Sequence, residues 1–73
     1  MPGDENALIQ ASGEGQLGVV KLLVSRGADV NARVWVQRYG KEPEGEWRTP
    51  LNMARKGGHK AVVDFLISQG ARE

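Results

Sequence analysis

The chain has 73 residues, with ten basic and nine acidic side chains for a formal net charge of +1, and no cysteine. That length holds one small domain, and a core so small rarely supplies more than a few kcal/mol without some further staple. Disulfides are excluded, a lone histidine without thiols is a poor start for a structural metal site, and the balanced charge gives no bulk pull toward nucleic acid or anionic membrane.

The first ten residues, MPGDENALIQ, are acidic and lack the basic start and apolar stretch of a secretory signal. A helix is expected from there through Ala11 and Ser12, capped by Asn6 or by Asp4 and broken by Gly13 and Gly15. The next helix, about Leu17 to Arg26, carries Leu17, Val19, Val20, Leu22, Leu23 and Val24 and stops at Gly27. So many apolar residues make too wide a face for one neighbour.

The run Arg33 to Tyr39 has strand character, with Val34 and Val36 branched and Trp35 bulky. Trp35, Gln37 and Tyr39 share one strand face, and Val34, Val36 and Arg38 share the other. Gly40-Lys41-Glu42-Pro43-Glu44-Gly45 is a turn by composition, and Glu46-Trp47-Arg48 returns as the partner strand. Trp35 or Tyr39 is expected to face Trp47 across this hairpin. Thr49 then caps a helix with Pro50 at its first position; Leu51, Ala54 and Met53 form its apolar stripe, and Gly57-Gly58 stops it. A last helix, about Lys60 to Gln69, carries Val62, Val63, Phe65, Leu66 and Ile67, and Gly70 ends it.

The two helix pairs are copies of one another. Residues 6–28 lie over residues 49–71 without a gap, and nine of the 23 paired positions are identical: Leu8/Leu51, Ala11/Ala54, Gly15/Gly58, Val19/Val62, Val20/Val63, Leu23/Leu66, Ser25/Ser68, Gly27/Gly70 and Ala28/Ala71. None of these helices is long enough to stand alone in water, so the pairs must bury their apolar faces by stacking. An internal repeat of this kind moves the functional question from catalysis to surfaces.

The segment TPLNMA, residues 49–54, resembles the ankyrin signature T-P-L-H-x-A, with Asn52 in place of the histidine. GHKAVVDFLISQGA in the second copy and GQLGVVKLLVSRGADVNA in the first are similar to the consensus of that family as well. The resemblance implies an all-α repeat (solenoid) fold, antiparallel helix pairs with a β-hairpin projecting between them. It implies one domain, with repeat one over about 4–32, an extended hairpin over about 33–48 and repeat two over about 49–73. The offset of 43 between Leu8 and Leu51 exceeds the ankyrin period of about 33, so roughly ten residues are inserted before Thr49. Two units also fall short of the about three that such arrays normally need.

Both tryptophans and the one tyrosine lie in the insertion, and these, with arginine, are the residue types enriched at interface hot spots. Two readings stand side by side: the aromatics contact a partner, or they only hold the hairpin together. The expected function is non-catalytic binding of an unidentified protein, with no cofactor or metal, through Val34, Trp35, Gln37, Arg38, Tyr39, Trp47, Arg55 and Lys56. Gln10 and Asn52 are weaker candidates. The apolar Val62, Phe65 and Ile67 of the last helix are expected to make a homodimer that completes the core. The rival readings are a structural piece of a longer array and a small-ligand binder using the aromatics as a pocket. Met1 and an end just past the last helix favour a complete product, and the composition suits the cytoplasm.

His59, the one histidine, sits in the turn between two helices, where ankyrin repeats commonly use histidine for packing and hydrogen bonding. Ser25 and Ser68 occupy equivalent positions, which argues against a one-site catalytic role. Glu42, Glu44 and Glu46 read as a solvated loop tip rather than a carboxylate pair for acid–base work or calcium. Arg33, Arg38 and Arg48 add charge along the hairpin beside the cluster Arg55, Lys56 and Lys60.

Overall fold

A computed structural model describes residues 4–37 and 45–72. The described elements, in chain order, are α1 (Asp4–Glu14), α2 (Leu17–Ser25), β1 (Val34–Gln37), β2 (Gly45–Arg48), α3 (Pro50–Lys56) and α4 (Lys60–Ser68). Of the expected strand, Arg38 and Tyr39 lie outside the described residues, as does the turn through Glu44.

The four helices end by one device. Gly15, Gly27, Gly58 and Gly70 take φ values of 75°, 91°, 71° and 93°, the left-handed region that glycine enters without steric penalty. At each, the glycine N–H and the following N–H turn back onto the last carbonyls of the helix. After α2, Gly27 donates to Val24 and Ala28 to Leu23; after α4, Gly70 donates to Ile67 and Ala71 to Leu66. Ala28 and Ala71 also pack on the core beside Leu23 and Leu66, the apolar contact that accompanies this cap.

The expected helix breaks need one correction. Gly13 stays inside α1, and only Gly15 turns the chain. After α3 the chain does stop at Gly57-Gly58 as expected, with Gly57 the right-handed cap and Gly58 the left-handed residue that turns the chain. Both right-handed glycines serve close approach instead. A Cβ on Gly13 would meet Met53 of α3 at 3.3 Å, and one on Gly57 would stand 2.6 Å from the His59 ring. Asn6 is also corrected: it lies within α1, which has already begun at Asp4. Thr49 does cap α3, its hydroxyl accepting the Asn52 N–H at 3.0 Å, with Pro50 at the first helical position.

The first helices of the two pairs, α1 and α3, pack broadly on each other and on their own partners, whereas α2 and α4 touch sparingly. The core is Leu8, Ala11, Val20, Leu23, Ala28, Leu51, Ala54, Val62 and Leu66, drawn from both copies. Burying one valine or leucine of this kind stabilises by roughly 1.5–3 kcal/mol. The copies are alike in sequence but not in burial. Val62 is 1% exposed while its counterpart Val19 is 41% exposed, because α4 lies against the first copy and, among the described residues, no further helix pair covers α2 on its own outer side. The neighbouring pair reverses: Val20 is buried and Val63 only half-buried.

β1 and β2 pair antiparallel, with Val34 opposite Arg48, Trp35 opposite Trp47, Val36 opposite Glu46 and Gln37 opposite Gly45. β2 thus starts at Gly45, one residue earlier than the sequence suggests.

Candidate functional site

The hairpin stands between two grooves, and its two faces differ in chemistry. On one face Trp35 and Trp47 meet edge to face, with ring centroids 5.3 Å apart and planes at 70°. This geometry sets the positive edge of one ring against the negative face of the other. The Trp35 ring also lies over the Gly45 backbone, so closely that a Cβ there would come within 2.7 Å of it. The Arg33 guanidinium sits 4.9 Å from the centre of the Trp47 ring, within cation–π range. Both tryptophans still leave about half their surface in water, at 50% and 48%.

On the Trp47 side a groove of about 690 Å³ runs between the hairpin and α3. Among the described residues its lining is Arg33, Arg55, Arg72, Asn31, Asn52, Trp47 and Thr49. The clasp around Asn31 gives this groove its shape. The Asn31 amide donates to the Gly70 carbonyl at 3.0 Å, and its oxygen accepts the Arg72 N–H at 2.7 Å. Asn31 is itself held by a turn in which its N–H donates to the Asp29 carboxylate at 2.8 Å. The loop after α2 therefore fixes the segment after α4 and brings Arg72 to the groove.

On the other face, Val34 and Val36 look toward α1 and α3 over a second groove of about 420 Å³, which Ile9, Gln10, Arg48 and Met53 also line. Here Glu46 bridges two elements: its carboxylate meets the Lys56 ammonium of α3 at 3.0 Å and the Arg48 guanidinium of its own strand at 3.6 Å. Lys56 thus ties the end of α3 to β2.

The candidates from the sequence therefore separate. Trp47, Arg55 and Asn52 line the larger groove, with Trp35 against Trp47; Val34 and Gln10 line the smaller one. Gln37 is placed only by its backbone in β1, and Arg38 and Tyr39 are outside the described residues. Of the self-association set, Val62 belongs to the chain's own core and is not available to a second copy. Phe65 is half-buried, with the Lys21 ammonium 5.7 Å from its ring centre, and Ile67 is 48% exposed. Asn31 and Arg72 are additions that the sequence does not suggest. Only hydrogen bonds spanning about forty positions bring them to the site, and no local pattern reports such contacts.

His59 has a structural role. Its Nε2 lies 3.1 Å from the Gly13 carbonyl, and its ring fills the space over Gly15 and Gly57. Ser25 and Ser68 each donate to a carbonyl of their own helix, Leu22 and Phe65 respectively. Among the described residues, no three His, Asp or Glu side chains gather closely enough to hold a metal ion, and no helix is long and apolar enough to cross a membrane.

Helix pairs ended by glycine caps, a capped TPL start and a hairpin between the pairs agree with the comparison to known proteins. The family model described as "Ankyrin repeats (many copies)" matches residues 7–67, and the chain belongs to the ankyrin-repeat family. Among its relatives is protein phosphatase 1 regulatory subunit 27 of Homo sapiens, 39% identical over 70 residues, covering 96% of this chain and 39% of that protein. Another is ankyrin repeat and KH domain-containing protein mask-1 of Caenorhabditis elegans, 38% identical over 69 residues, covering 92% of this chain and 2% of that protein. The NF-kappa-B inhibitor cactus of Drosophila melanogaster is 33% identical over 66 residues, covering 89% of this chain and 11% of that protein. The chain thus spans only a minor part of these relatives. Ankyrin repeats generally mediate protein–protein interaction, and two of these relatives are named for regulating another protein.

Proposed function

We propose that this chain is a non-catalytic protein-binding module whose contact surface is the hairpin together with the exposed side of α3. The observation that carries the reading is the tryptophan pair. Trp35 and Trp47 brace each other, so they are already ordered, yet half of each remains in water beside a groove. A pre-ordered aromatic loses little entropy on contact, which is what a binding anchor needs. The structural and the binding roles of the aromatics are thereby compatible.

The test is selection of a random peptide display library on the folded chain, followed by affinity measurement on Trp35→Ala and Trp47→Ala. Selected peptides are expected to lose roughly tenfold or more in affinity on either variant, the size of a hot-spot truncation. Peptides that bind both variants unchanged would place the contact elsewhere and end this reading.

A second reading, self-association, is favoured by the unequal burial of the two copies. Val19 and Leu22 at one end, and Ile67 at the other, are exposed apolar residues in a small chain. With Val62 committed to the core, Phe65 and Ile67 are what remain of the expected dimer contact, and a symmetric pairing of two such ends closes as a dimer.

A further inference from the structure

The larger groove has a marked charge character. Arg33, Arg55 and Arg72 reach it from three separate parts of the chain, the approach to β1, the end of α3 and the segment after α4. Among the described residues no carboxylate lines it, although the whole chain is nearly neutral. Glu46 is committed to Lys56 and Arg48, and Asp29 is turned to the Asn31 backbone. The remaining lining adds donors and a flat apolar surface: the Asn31 and Asn52 amides and the Trp47 ring.

Resting on the binding-module reading, we propose that this groove takes an acidic segment of a protein partner, its carboxylates paired with Arg33 and Arg72 and an apolar side chain laid on Trp47. Guanidinium groups suit such a partner because they remain charged at every physiological pH and offer paired N–H donors that match a carboxylate. Concave walls of one charge sign also concentrate the field, which speeds encounter with an oppositely charged segment. The Asn31 clasp makes Arg72 part of a fixed wall rather than a loose end. The Arg33 stack on Trp47 holds a second guanidinium in place at little further ordering cost.

The peptides recovered by display selection supply the probe. Sequences that depend on Trp47 are expected to be enriched in Asp and Glu and to weaken as ionic strength rises past the range where charges screen each other. Arg33→Gln and Arg72→Gln are each expected to weaken them by roughly tenfold. Arg26→Gln, at an exposed arginine at the end of α2 outside the groove, is expected to change nothing. Circular dichroism of each variant confirms that it is folded; the Arg72 contact to Asn31 uses the backbone N–H, so a side-chain change leaves it intact.

Trp47-dependent peptides without acidic enrichment would overturn the acidic occupant and leave the module reading standing. Equal loss on Arg26→Gln would reduce the effect to general charge attraction and overturn it as well. An oligouridine RNA that competes for the groove as strongly as the acidic peptides would assign the arginines to phosphates instead. Failure to recover any Trp47-dependent peptide would sink both readings together.

Discussion

Gly15 and Gly58 are the same residue in two copies of one motif, with φ of 75° and 71°, and they make a controlled comparison. At Gly58 a Cβ meets open space, so Gly58→Ala carries only the penalty of the left-handed backbone, about 1–2 kcal/mol. At Gly15 the added Cβ would lie 2.3 Å from the His59 ring. Gly15→Ala is therefore expected to be the more destabilising in urea unfolding, and adding His59→Ala should recover part of the excess. Equal losses in both variants would mean that the ring moves aside freely. The sequence shows both glycines as helix stops, but not this difference. The ring belongs to the second copy and the glycine to the first, and only packing brings them together.

At the level of the elements, the hairpin is the one part of the chain that the repeat does not explain. Its strand pairing is legible because branched and aromatic residues alternate on either side of a glycine- and proline-containing segment, but the sequence allows Trp35 or Tyr39 opposite Trp47, and the register places Trp35 there. A double-mutant cycle on Trp35→Ala and Trp47→Ala is expected to return a coupling of about 0.5–1.5 kcal/mol, the value of an aromatic pair beyond its burial. A coupling near zero would mean that each ring is held by its other neighbour, Trp35 by Gly45 and Trp47 by Arg33. The helix ends are legible only to within a residue or two. Gly13 looks like a stop in the sequence, because a glycine needed for close approach has the same letter as one needed for a left-handed turn. The charged groove is the least legible element. Arg33 and Arg55 can be seen as a basic scatter, but the walls of the groove come from segments about forty positions apart.

For the whole molecule, the comparison of Val19 with Val62 bears on assembly. The apolar ends can meet in two ways: like end on like end closes as a pair, whereas one end on the other repeats without closing. Light scattering over a dilution series separates these outcomes. A dimer that Ile67→Lys dissociates and Leu22→Lys does not would support pairing through α4. Mass that grows steadily with concentration, and falls in either variant, would indicate head-to-tail growth. A monomer throughout would remove self-association as a reading.

The Asn31 clasp has a consequence for the order of events in making this protein. During synthesis Asn31 emerges well before Gly70 and Arg72, its partners across about forty positions. Closing so long a loop carries an entropic cost that is met only once α3 and α4 have packed. The first copy is therefore made with Val20 and Leu23 lacking the cover that the second copy supplies, and the segment after α4 later secures the loop after α2. Folding of this chain is expected to be a single late step, not the gradual accumulation of one helix pair upon another.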